Sequence, residues 1–105
     1  MKVIIESPYA GDVEKNIKYA RKCMKDSFDR GEFPFASHLL YTQEGVLNDD
    51  ITIERNLGIM AGLEWGKMAE KTVVYTDLGI SEGMDFGIKN AIENNRPIEW
   101  RKILK

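Results

Sequence analysis

The sequence predicts a small α/β domain built on a mainly parallel sheet of about four strands. Three observations lead there. Short apolar runs alternate along the chain with longer stretches of helical periodicity, the pattern of β–α–β units. The connections between them are mostly short and rich in Gly, Pro, Ser and Asp. And 105 residues suffice for one compact domain but not for two.

Taken in order, "KVII" (2–5) is an apolar run ended by Ser7-Pro8 and reads as a buried strand. "SPYAGD" is a loop, with Asp12 placed to cap a helix. Val13, Ile17, Ala20, Met24 and Phe28 then recur at spacings of three and four, predicting a helix with one apolar stripe that stops at Gly31. "EFPFA" (32–36) is a weaker strand, which Pro34 moves to an edge. The stretch "SHLLYTQEGVLNDD" (37–50) shows no regular period and is expected to be a loop that moves over a site. A second helix is expected from a cap at Asp50 to about Ala69. "TVVYT" is the third strand, Ser81 caps a third helix to about Asn94, and "PIEWR" (97–101) is the fourth strand.

Composition excludes several classes. Hydrophobic residues make up 43% and charged residues 30%, ordinary for a soluble globular protein. The net charge is -2 with acids and bases interspersed, so no broad basic face exists for nucleic acid. No apolar run is long enough to span a bilayer, and Lys2 and Glu6 interrupt any leader, so a cytoplasmic protein is expected. The one cysteine, Cys23, falls near the first helix's apolar stripe and is expected as a buried reduced thiol. No Cys or His stands at ligand spacing from His38, so neither a metal site nor a cofactor is expected.

Ligands of parallel α/β sheets sit at the carboxyl ends of the strands. Here that edge carries "ESPYAG", "ASHLL" and "DLGISEGM", three polar loops expected to converge. Gly79 and Gly83 allow backbone amides to approach a ligand, and the Ser81 hydroxyl either caps the helix or faces the pocket. Glu82 and Asp85 put two carboxylates in the first turn, which suits sugar hydroxyls better than a bare phosphate; the plainer reading is that they complement the helix dipole. Ser7 and Tyr9 line a pocket or fill a turn. His38 is a pocket group or a structural histidine. Arg55 is the best anion contact. Gly58, Gly62 and Gly66 form a lane of small residues on the second helix, where another backbone packs closely: its own sheet, or a second copy of the chain in a homo-oligomer, which is slightly favoured.

The order "KVIIESPYAG", a long helix, "DLGISEGM" and then "RPIEWR" resembles the nucleoside 2-deoxyribosyltransferase-like superfamily, over nearly the whole chain. It looks closest to a small, mostly phage-borne and bacterial branch with "GEFPFASHLLY" and "LGIMAG" segments. The resemblance implies a Rossmann-like three-layer fold, a nucleoside- or nucleotide-derived ligand, and a homo-oligomer. It also implies glycosyl transfer through a glutamate nucleophile, oriented by a tyrosine and helped by aspartates. Carried over by position, Tyr9 falls at the orienting tyrosine and Asp77 opens the third loop. Ser81, Gly83 and Met84 fit the sugar- or phosphate-side turn. Aligning Ala91 with the family's helix alanine puts Gly87 where the nucleophile belongs, and a glycine cannot attack.

Three functions are compatible with these residues. The first is a binding protein for a ribosyl or ADP-ribose-like molecule, held by Ser7, Tyr9, His38, Arg55, Asp77, Gly79, Ser81, Gly83 and Met84. In a phage setting such a pocket would serve anti-defence by sequestering a host nucleotide signal. The second is an N-glycosidase or deoxyribosyltransferase with a relocated carboxylate, drawn from Glu82, Asp85, Glu54 and Glu64 and assisted by Tyr9 and Asp77. The third is an oligomeric interaction module.

Overall fold

The computed structural model describes residues 1–104. Along them run β1 (Lys2–Glu6), α1 (Val13–Asp29), β2 (Phe33–Phe35), α2 (Ser37–Leu40), α3 (Thr52–Gly66), β3 (Lys71–Tyr75), α4 (Glu82–Glu93) and β4 (Ile98–Arg101). All strand pairs are parallel, in the order β2-β1-β3-β4. The α/β class and the four-stranded parallel sheet thus hold, in a Rossmann-like arrangement. No described helix is long and apolar enough to cross a membrane.

Period-two alternation sends each strand's side chains to opposite faces. Val3 and Ile5 of β1 join Val73 and Tyr75 of β3 against Tyr19 and Cys23 of α1. Val74 points the other way and packs on Met84 and Ile88 of α4. Ile4 shares that second face, where it approaches Gly66 of α3. Glu6 follows Ile4 by two residues and so belongs to the α3/α4 face, at the carboxyl end of a central strand.

Several expected elements shift. The buried side of α1 runs through Asn16, Tyr19, Ala20, Cys23 and Ser27, while Val13 and Phe28 are exposed. The apolar stripe misplaced this face because polar groups on it are paired. Asn16 Nδ2 donates to the Tyr9 and Ala10 carbonyls, and Ser27 donates to Glu32. Cys23 is fully buried, and burial pushes its thiol up to about 12. The helix expected from Asp50 begins at Thr52 with Ile51 at the cap and no side-chain cap bond, and the Asp50 amide donates to Asn48 Oδ1 instead of opening the helix. It ends at Gly66 rather than Ala69, with residues 67–69 in turns. Residues 37–50 are not a plain loop either. They open with α2, which leads into turns closed by Val46 N–H to Gln43 and Leu47 N–H to Tyr41.

Candidate functional site

A cavity of about 370 Å³ lies at the carboxyl ends of β1 and β3. The topology makes this crevice. From β1 the chain moves to β2 on one side and later returns as β3 on the other, so the loops leaving β1 and β3 part from each other. Ser7 and Tyr9 after β1, Ser37 and His38 after β2, and Ser81 with Glu82 after β3 all line the space. Ser81 also caps α4, accepting from the Met84 amide at 3.3 Å.

α3 closes the side of the cavity, and its glycine lane explains how it comes so near. A Cβ on Gly62 would lie 2.5 Å from Ser37 Oγ and 2.8 Å from Ser37 Cβ. One on Gly66 would meet Arg96 Nη2 at 3.5 Å and Ile4 Cγ1 at 3.7 Å. The lane therefore packs on this chain's own α2 and sheet, which corrects the subunit contact favoured for it. The opposite side of α3 exposes Ile53, Leu57 and Met60.

Within the cavity the Ser7 hydroxyl and His38 Nε2 share a hydrogen bond of 2.6 Å. Burial pulls His38 down to about 4, so its ring is neutral at pH 7. Arg55 stands on the wall with Asp49 at 3.9 Å, and the Glu54 carboxylate accepts from the Asn48 amide. Two further lining residues, Glu6 and Arg96, escaped sequence reasoning. Arg96 is only 8% exposed, and its Nε and Nη2 donate to Thr72 Oγ1 and Asn90 Oδ1 at 2.8 and 2.9 Å. The Glu6 side chain makes no hydrogen bond or ion pair with any described residue. Desolvation raises its carboxyl to about 8, against the opposing field of Arg96.

Residues 1–101 match a protein family described as a domain of unknown function, DUF7768. The chain belongs to that family. No curated protein sequence matches it. Among solved structures, it is similar to a 2-deoxyribosyltransferase from the psychrotolerant bacterium Bacillus psychrosaccharolyticus. The TM-score is 0.74 at 17% identity, covering 100% of this chain and 77% of that one. At that identity the likeness is one of fold.

In this DUF7768 chain, α4 passes the cavity with no side chain at position 87. A Cβ built on Gly87 would overlap the Glu6 carboxyl, with Oε1 at 2.8 Å and both Cδ and Oε2 nearer still. The volume that a side chain at position 87 would take is thus filled by a carboxyl from β1. Parity along "KVIIE" was the signal that could have found Glu6.

Several expected site residues lie outside the cavity lining. Asp77 follows Val73 and Tyr75 in parity and turns to the α1 side. There it accepts from Tyr19 Oη at 2.6 Å and from the Ile103 and Leu104 amides. Burial works to raise its carboxyl, but these bonds hold it below the ordinary value. Gly79 forms a turn with φ +86°, and Met84 is core, 1% exposed. Asp85 pairs with Lys89 and Glu64 with Lys67, both in solvent. Of the four acids considered for a relocated carboxylate, Glu54 and Glu82 line the space and Asp85 and Glu64 do not.

Proposed function

We propose that the cavity binds a nucleoside- or nucleotide-derived molecule through its ribosyl part. One observation carries this reading: three strand-end loops and a glycine-laned helix enclose a single space at the switch point of a parallel sheet. Its volume, about 370 Å³, lies in the range of small-molecule sites. The fold likeness to a 2-deoxyribosyltransferase supports the ligand class. Tyr9, Ser7, His38 and Ser81 supply hydroxyls and a neutral ring suited to sugar hydroxyls, and Arg55 and Arg96 supply positive charge for an anionic substituent.

Thermal-shift titration with adenosine, cytidine, their 2′-deoxy forms and ADP-ribose tests it. Saturable stabilisation is expected, about 2.7 kcal/mol at a hundredfold excess over Kd. No response to any of them would remove this reading and leave the interaction module.

Glu6 favours a second reading, an N-glycosidase or deoxyribosyltransferase whose carboxyl group comes from β1 rather than α4. Chromatography of the same mixtures separates the two. Release of free base by the wild type, lost in Glu6→Ala, establishes the enzyme; intact ligand after prolonged incubation leaves binding alone.

A further inference from the structure

We propose that Glu6 is the carboxyl that contacts the ligand in this cavity, seated in the volume that a side chain at position 87 would otherwise fill. The inference rests on the ribosyl-ligand reading above. It adds which group makes the central polar contact and which kind of ligand edge it takes.

The geometry isolates this carboxyl for such a role. Glu6 ends a central strand and points to the α3/α4 face, so backbone pairing with β3 fixes its position. Gly87 on α4 leaves room for it, and any Cβ there would expel it. The cation whose field reaches it, Arg96, spends Nε and Nη2 on Thr72 and Asn90. No fully buried side-chain oxygen or nitrogen among the described residues lacks a partner. The unbonded Glu6 oxygens therefore reach solvent, and the cavity they line is where they do so. An oriented carboxyl with both oxygens free for a ligand is the result.

Its protonation then sets the ligand edge. With the carboxyl raised to about 8, the neutral acid predominates at pH 7. A neutral carboxyl offers an O–H donor beside a C=O acceptor. It pairs with an edge that places an acceptor next to a donor, as the ring nitrogen and amino group of adenine or cytosine do. A carboxylate could only accept.

Calorimetry with adenosine, cytidine and ADP-ribose at pH 7 and pH 9 decides the matter. Wild-type affinity is expected to fall about tenfold between the two, because binding needs the proton that leaves near pH 8. Glu6→Gln keeps a donor beside an acceptor, so it should bind within about threefold of wild type and show no such fall. Glu6→Ala should bind at least about tenfold more weakly, and Gly87→Ala likewise, by displacing the carboxyl. The remaining charged groups facing the cavity are Asp49, Glu54, Arg55, Glu82 and Arg96, with His38 beside them. Comparison with Glu6→Gln subtracts their contribution. Glu6→Ala needs no repacking against α4, so the test stands even if Gly87→Ala fails to fold. Unchanged binding by Glu6→Ala overturns this inference and leaves the ribosyl reading intact. So does affinity that rises with pH and is lost in Glu6→Gln. A wild type silent towards every probe overturns both.

Discussion

In the unfolded chain the Glu6 carboxyl ionises near 4.5, and in the folded protein near 8. Between these values the folded state holds a proton that the unfolded state has released. This contribution to stability is fully present below pH 4.5 and is lost as pH rises through 8. His38 slopes the other way. Its folded value of about 4 lies below the ordinary 6.5, so stability is lost as pH falls from 6.5 towards 4. The two effects oppose each other up to pH 6.5, and from there to pH 8 Glu6 sets the slope. Each tenfold difference in proton affinity between folded and unfolded chain is worth about 1.4 kcal/mol, reduced here by the solvent that reaches the carboxyl through the cavity. Glu6→Gln is therefore expected to melt several degrees higher than wild type at pH 8, with the gain shrinking as pH is lowered, as calorimetry would show. Equal melting curves at pH 8 would mean that the carboxyl is not desolvated. At this scale the sequence made Ser7, Tyr9 and His38 legible, since each follows a recognisable strand. Glu6 was not, because it was read as the end of an apolar run rather than as a side chain on a particular face. Asp77 was misplaced for the same reason, two residues beyond Tyr75 and committed by parity to α1.

Among the elements, α3 carries the clearest test of how the cavity is walled. Glycine in a helix interior costs about 1 kcal/mol relative to alanine, and the three glycines repay that cost unequally. A Cβ on Gly58 would meet Leu47 Cδ1 at 3.4 Å and Tyr41 Cβ at 3.9 Å, ordinary contacts with side chains. Gly58→Ala should therefore be neutral or stabilising by up to about 1 kcal/mol. At Gly62 the intruding atoms are Ser37 Oγ at 2.5 Å and Ser37 Cβ at 2.8 Å, and the second cannot rotate away. Gly62→Ala is expected to lose about 1–3 kcal/mol by overpacking, and Ser37→Gly in the same chain to restore most of it. Urea denaturation of the three variants checks the contrast. The glycine spacing was visible in the sequence, but its partner was not, because α2 is one turn long and carries no periodic pattern. The four strands and α4 were legible, since β-branched runs and the Ser81 cap are local signals. The buried face of α1 was not, because its polar residues are satisfied by groups outside the helix, as Asn16 is by the Tyr9 carbonyl and Tyr19 by Asp77.

Across the whole molecule, a buried ionic network under the sheet ties together segments that are far apart in the chain. Arg101, at the end of β4 and 6% exposed, donates through Nη1 and Nη2 to Glu32 at the entrance to β2, at 2.8 and 2.7 Å. Its Nε pairs with Glu99. Lys71 at the start of β3 bridges Glu32 and Glu99 at 3.0 and 2.8 Å, and the Tyr75 hydroxyl joins Arg101 to Asp26 of α1. The hydrogen bonds from Arg101 hold Glu32 and Glu99 down at about 2. Both acids ionise below their unfolded value of 4.5, so the stability they add is complete above that pH and is lost as pH falls towards 2. Such a network is legible only in three dimensions, because residues 69 positions apart carry no mutual signal in the sequence. Replacing Glu32 by Gln leaves Arg101 buried with half its charge compensation gone, a change that costs about 3–5 kcal/mol in comparable buried pairs. Glu32→Gln should accordingly lower the urea midpoint sharply at pH 7 and much less near pH 2, where protonation has already removed most of the stability that this ion pair adds. A loss of equal size at both pH values would mean that shape and hydrogen bonding at Glu32, rather than its charge, bind β2 to β4.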